Sequence, residues 1–258
     1  MMKNTAKRIY LILILILLYA PIITLVVLSF NNSKTRAKWG GFTGKWYISL
    51  FQNPDIMNAL YTTLIIALLS ALIATLIGTV ASLGIQAMKP KMRTFMMGVT
   101  NIPMLNADIV TGISLMLAFI AFGISLGFKT VLIAHITFNI PYVILSVMPK
   151  LRQTSRYTYE AALDLGASPI SAFFKVVFPD ILPGVLSGFL LAFTMSLDDF
   201  IITHFTRGAG INTLSTLIYS EVRRGIKPSM YALSTVIFAA VLILLLISNF
   251  APKKRQEK

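Results

Sequence analysis

"ILPGVLSGFLLAFTMSLDDF", residues 181–200, decides the fold class of this chain. No charged side chain occurs between Ile181 and Leu197, and then two carboxylates, Asp198 and Asp199, stand side by side. The apolar run continues past them to about residue 205, longer than the roughly 20 residues an α-helix needs to cross a bilayer. The rest of the 258 residues has the same character, with 56% hydrophobic residues, 12% charged residues and a mean hydropathy of +0.79. That leaves too little polar surface for a soluble protein of this size. The alternating pattern of a membrane β-barrel is absent. An integral, all-α membrane protein is expected.

Five other apolar stretches read the same way, so six spans are expected, at about 9–31, 60–88, 95–122, 129–149, 181–205 and 229–250. Lys89-Pro90-Lys91 stops the second span, Gly123 to Gly127 turns the chain after the third, and Pro252 with a basic tail follows the sixth. Pro21, Pro103 and Pro141 lie inside spans, where neighbouring helices satisfy the carbonyls they free. Lys3, Lys7 and Arg8 precede the first run as in a signal peptide, but the run to Phe30 is too long and no small-x-small site follows. An uncleaved first helix is expected. No repeat, linker or low-complexity segment divides the chain, which reads as one transmembrane domain over residues 1–258 with a core at about 60–250.

The net charge of +14 sits in short blocks between apolar runs, the pattern of membrane loops and not of a nucleic-acid surface. Fourteen Lys and Arg residues fall at the N-terminus, in 89–93, in 150–175 and at the C-terminus, against nine in 32–57, at Lys129 and in 207–227. The richer set of loops stays inside, which places both termini in the cytoplasm. With no cysteine, disulfides and thiolate metal sites are excluded. No GxxxxGK[ST] phosphate loop occurs, so ATP hydrolysis is not expected on this chain.

One inner loop is far longer than the others: "RYTYEAALDLGASPISAFFKVVFPDILPG", residues 156–184. Glu160-Ala161-Ala162 opens a short helix, and Gly166 is free to take the left-handed conformation that ends it. Ser168 and Pro169 suit the N-cap and first position of a second short helix, which Pro179 is expected to end. Phe173, Phe174, Val177 and Phe178 give this helix an apolar face, which either lies on the membrane surface or docks a cytoplasmic partner.

The segment "EAALDLGASPISAFFKVVFP" resembles the EAA loop of binding-protein-dependent ABC importers. In that pattern EAA is followed after three residues by Gly and after nine more by Ile-x-Leu-Pro. Here Glu160, Ala161, Ala162, Gly166 and Pro179 match, with Val176 for Ile and Phe178 for Leu. The stretches "YAPIITLVVLSFNNS", "GFTGKWY", "AHITFNIPYVI" and "FTMSLDDFI" extend the likeness to spermidine/putrescine importer permeases over nearly the whole chain. The resemblance implies a type I importer transmembrane domain of six helices, with residues 156–179 as the coupling loop that fits a cleft on an ATPase subunit. It also implies that the working complex has two ATPase chains carrying ATP and Mg, a second related permease and an external polyamine-binding protein, in the cytoplasmic membrane of a prokaryote.

The acids fit that implication. A carboxylate at mid-bilayer costs roughly 2.5–3.5 kcal/mol on the insertion scale, so Asp198, Asp199 and Asp108 of the third span should face water, a cation or a partner helix. Asp108 lies 15 residues past Arg93 and Asp198 lies 15 past Pro183; at ~1.5 Å per residue both stand roughly 22 Å along their spans. Three unpaired acids at one level suit a polycation, with Ser196 as a further acceptor and Trp46 as a ring for an ammonium group. Asp198 and Asp199 alternatively mark a helix end near the headgroups, although a helix C-terminus is the wrong end for acids. Asp108 alternatively bonds a neighbouring backbone, and Trp46 anchors the interface. His135 and His204 read as structural, and Glu221, Arg223 and Arg224 as a solvated outer loop or a binding-protein contact. The rival cargoes are thiamine, ferric ion, sulfate, amino acids and phosphonates. An ion-coupled secondary transporter also uses intramembrane acids, but would give the EAA loop no role and lacks the inverted repeat.

Overall fold

The computed structural model describes residues 2–33 and 38–250. Among the described residues twelve α-helices follow one another: α1 (Met2–Ser29), α2 (Lys45–Gln52), α3 (Pro54–Ala87), α4 (Pro90–Leu105), α5 (Asp108–Ala121), α6 (Phe128–Gln153), α7 (Arg156–Asp164), α8 (Pro169–Ala172), α9 (Phe178–Asp198), α10 (Ile201–Thr206), α11 (Leu214–Arg224) and α12 (Pro228–Phe250). Four of the helical segments are long and apolar enough to cross a bilayer, and the α4–α5 pair makes a fifth, bent span. The described part of α12 contributes the shorter apolar stretch Pro228–Ala240. Pro252 and the C-terminal basic block lie outside the described residues, as do Lys34 and Arg36.

The chain forms two compact units, one of residues 1–57 and 218–258 and one of residues 58–217. In the first, α1 and α2 pack on α12. None of the apolar window of α1 is buried, as expected of a helix facing lipid. The loop after α1 is tied by Asn31, whose side chain donates to the Lys38 carbonyl (2.9 Å) and accepts from the amides of Ser33 (3.0 Å) and Gly40 (2.8 Å). Phe30 stacks on Phe42 at 4.9 Å between centroids, and Ser29 Oγ meets Tyr47 OH at 2.6 Å.

The second unit is organised around α6, of whose membrane window 56% is buried. Lipid tails are as apolar as leucine, so helices here associate through close packing and not through the hydrophobic effect. Small residues make that packing possible. A Cβ on Gly188 would lie 3.3 Å from Val143 Cα of α6, one on Gly184 2.9 Å from the Ser146 carbonyl, and one on Gly78 of α3 2.7 Å from Val143 Cγ1. Gly184, Gly188, Ala192 and Ser196 recur every fourth residue and are all buried, forming one stripe of α9. Val143, Val147, Leu151, Ile181, Ala71, Ala74 and Ala192 pack together beside it. Gly184→Leu is therefore expected to lower the thermal midpoint of the solubilised complex by overpacking, at a cost of about 1–3 kcal/mol. Gly84→Ala, with no atom near its Cβ position, is expected to leave it unchanged; equal midpoints would refute the close-packed seam.

Three expectations are corrected. The third span is not continuous: Asn106 and Ala107 are extended, and α4 and α5 meet at 100°. Pro103 removes a backbone donor in the last turn of α4, and Asn and Asp side chains compete for backbone groups at such sites. The depth estimate for Asp108, which assumed a straight helix, therefore fails. The fifth span also ends early, α9 stopping at Asp198 and α10 restarting at Ile201. Finally, Pro179 does not end the loop's second helix. It occupies the first turn of α9, where no amide is needed. The π-turn Phe173–Val177 feeds directly into it, the Phe178 amide reaching back to the Phe173 carbonyl, so Pro169–Asp198 runs as one helical span.

Candidate functional site

Asp108 opens α5 directly after the break, at the helix end whose dipole favours an anion. Gly112, one turn on, lets α10 lie close: a Cβ there would stand 3.1 Å from the Phe205 ring and 3.4 Å from Ile202 Cα. That approach brings the first turn of α5 beside the α9–α10 junction. The result is a pocket of about 380 Å³ lined by Asp108, Asp198, Asp199, Phe138, Tyr142, Met195, Phe200, Ile201 and Ile202. Asp108 and Asp198, residues from two different spans, thus face one space. Both are exposed, and among the described residues no basic side chain forms an ion pair with either.

Asp199 is different, and the expectation of three unpaired acids is corrected here. Its Oδ1 accepts from the Ile202 amide (3.2 Å), and its Oδ2 from the Thr203 amide and the Thr203 hydroxyl (both 2.8 Å). His135 Nε2 lies 3.4 Å from the same oxygen, with side-chain exposures of 1% for His135 and 9% for Asp199. The interruption of the helix turns the supposed helix C-terminus into the approach to α10, where Asp199, one residue before the N-cap Phe200, satisfies the amides of Ile202 and Thr203. The dipole argument therefore reverses for this residue. Ser196 is buried too, its Oγ 2.5 Å from His135 Nδ1 and 3.0 Å from Ser70 Oγ. His135 Nε2 also meets Thr203 Oγ1 at 2.9 Å. A polar chain thus runs from α3 through α9 and α6 to α10.

Trp46 belongs to the other unit. Its indole N–H donates to the Asn31 carbonyl at 2.8 Å, and Lys45 Nζ stands 4.6 Å from its ring centroid. His204 packs between the rings of Phe200 and Phe205. Glu221 pairs with Lys227 at 2.9 Å, and the Arg223 guanidinium lies over Tyr219.

The long loop has the local geometry its residues imply. Glu160, Ala161 and Ala162 are on α7, and Gly166 has φ +85°. The Ala167 amide bonds the Ala162 carbonyl (3.0 Å) and the Gly166 amide the Leu163 carbonyl (2.9 Å), the two bonds of a Schellman end. Ser168 caps α8 by accepting from the Ser171 amide at 3.3 Å. Tyr157, Leu165 and Ile170 stand 81%, 89% and 73% exposed, an apolar surface left uncovered.

Residues 74–253 match the family described as the binding-protein-dependent transport system inner membrane component. The chain belongs to that family. This importer permease is 37% identical to the spermidine/putrescine transport system permease protein PotC of Escherichia coli (strain K12), over 92% of its own length and 90% of the relative's. It is 39% identical to the putrescine transport system permease protein PotI of the same strain, over 87% of its length and 82% of the relative's. Its fold is that of a solved ABC transporter involved in import of the acidic polysaccharide alginate, with a TM-score of 0.75 over 99% of this chain and 96% of that one at 18% identity.

The permease's pocket contains residues that sequence reasoning passed over. Phe138 and Tyr142 supply the ring faces that had been sought at Trp46, and Ser70 and Thr203 complete the polar chain. For Phe138 and Tyr142 the signal is periodicity: with His135 they are spaced by three and four residues and share one face of α6, whereas Ser196, Asp199 and Thr203 have the same spacing but are divided by the break after Asp198.

Proposed function

We propose that this permease carries polyamines through an ATP-driven importer, and that Asp108 and Asp198 are the carboxylates that meet the cargo. The observation that carries this reading is one pocket holding two acids that, among the described residues, have no basic partner, beside the rings of Phe138, Tyr142 and Phe200. A polyamine has ammonium groups separated by methylenes. Carboxylates hold the former by charge-assisted hydrogen bonds, ring faces attract them, and Met195 and Ile202 offer apolar wall to the latter. The names of the relatives point the same way. An anionic cargo would be repelled.

The same reading assigns the remaining parts. ATP and Mg reside on two ATPase chains, which dock at Glu160, Ala161, Ala162 and the Gly166 turn; their closure alternates the access of the pocket between two states. A second, related permease completes the path, and an external binding protein delivers the cargo. Both termini lie in the cytoplasm of a prokaryotic cell, a placement the Lys/Arg balance favours. Asp199 and Ser196 support the pocket from behind.

The test is labelled spermidine uptake by proteoliposomes bearing the whole complex. ATP-dependent uptake that excess unlabelled putrescine blocks and thiamine does not is the expected result. Uptake blocked equally by thiamine, or none in a complex that hydrolyses ATP, overturns the polyamine assignment.

A further inference from the structure

We infer that His135 is a positioning residue for the cargo pocket: it holds Asp199 as the cap of α10, and so leaves Asp198 as the carboxylate presented at the α9–α10 junction. The argument starts from proton bookkeeping. Thr203 Oγ1 donates its only proton to Asp199 Oδ2 at 2.8 Å. Its contact with His135 Nε2 at 2.9 Å must then be one in which the imidazole donates. In a neutral ring the proton is therefore on Nε2, and Nδ1 accepts from the Ser196 hydroxyl. Ser70 Oγ, which donates to the Ala67 carbonyl at 3.2 Å, lies 3.0 Å from Ser196 Oγ. The chain is directional from Ser196 on α9 through His135 to Thr203 and Asp199, and each member but the last donates once.

Its position gives it consequence. His135 is 1%, Ser196 3%, and Ser70 and Thr203 both 0% exposed, so the links among these four are shielded from water. Buried polar networks of this kind hold one geometry when complete and fail when one member is lost. The backbone leaves the helical conformation at Asp199, with ψ 129°, and regains its first helical bond where the His204 amide reaches the Phe200 carbonyl at 2.8 Å. What sets its course is the grip of Asp199 on the amides of Ile202 and Thr203. Phe138, one turn from His135 and edge-on to it at 5.2 Å, lines the pocket on the same helix face.

Two amides separate the two ends of the ring. A glutamine at 135 places its amide near the Nε2 position and keeps a donor toward Thr203 and Asp199; an asparagine reaches only the Nδ1 position. The experiment uses the full complex in proteoliposomes, with His135→Gln, His135→Asn, Thr203→Val, Asp199→Asn and the doubles His135→Asn/Asp199→Asn and His135→Asn/Asp198→Asn. Apparent KM and Vmax for spermidine are measured with amide hydrogen exchange over residues 199–206. The expected result is faster exchange and an apparent KM raised about tenfold in Thr203→Val, the loss of one hydrogen bond to a charged group, and in His135→Asn, which removes the donor that turns the Thr203 hydroxyl toward Asp199. His135→Gln should stay within about threefold of wild type. Adding Asp199→Asn to His135→Asn should change nothing more, whereas adding Asp198→Asn should. Additive effects of His135 and Asp199, or equal damage by both amides with KM unmoved, overturn the inference. The kinetic arm rests on the polyamine reading, which fails by itself if wild type takes up no polyamine; the exchange arm decides the role of His135 in either case.

Discussion

Gly166→Pro is expected to reduce ATP-driven uptake to background while the chain stays in the membrane at wild-type level. The residue sits at φ +85°, which proline, fixed near −65°, cannot adopt. The substitution also removes the amide that bonds the Leu163 carbonyl. Together these cost the local turn about 3 kcal/mol, roughly a hundredfold in its population. No atom lies within 4 Å of the Cβ position, so the damage is conformational and confined to the turn between α7 and α8. On the docking reading the ATPase then meets a surface whose two halves, Tyr157 to Leu165 and Ile170 onward, no longer hold their relative angle. Glu160→Lys should give the same phenotype by charge reversal without altering the turn. The measurement is uptake together with copurification of the ATPase. Normal uptake in Gly166→Pro would remove the coupling assignment, and lost uptake with full ATPase binding would move the defect from docking to transmission.

Asp198→Asn is expected to raise the apparent KM for spermidine by about ten- to a hundredfold, the worth of a hydrogen bond to a charged group at about 1.5–3 kcal/mol. The amide keeps the size of the side chain and an acceptor, and removes only the charge. Asp108→Asn should act similarly, because both carboxylates line the same pocket. Asp55→Asn, in the first exposed turn of α3, should have no effect. Diamine uptake should suffer less from either single change than triamine uptake if each carboxylate holds a separate ammonium group. Equal behaviour of Asp198→Asn and Asp55→Asn would show that the acids at the α9–α10 junction are not there for the cargo.

Some of this was legible before any coordinates. The membrane class follows from composition, since unbroken apolar runs have no other stable home. The turn at Gly166 and the cap at Ser168 follow from backbone chemistry within a few residues, and the structure has both. Asp108, Asp198 and Asp199 stood out because a carboxylate in hydrocarbon is costly wherever it is placed.

What the sequence left open is what depends on direction. Adjacent residues on a helix point about 100° apart, and nothing local says which of Asp198 and Asp199 turns inward. Only the packing of α10 against α5 and α6, with His135 and Thr203 behind it, makes Asp199 a cap and leaves Asp198 facing the pocket. The breaks at Asn106 and at Asp199 were likewise invisible, because an apolar run has the same hydropathy bent or straight. The small-residue stripe from Gly184 to Ser196 was visible as spacing, but only the approach of α6 shows that it is a contact face. Hydropathy therefore determined that the chain enters the membrane and where its costly charges lie. The tertiary contacts, made between residues far apart in the chain, decided which of those carboxylates the protein itself hydrogen-bonds and which face the pocket.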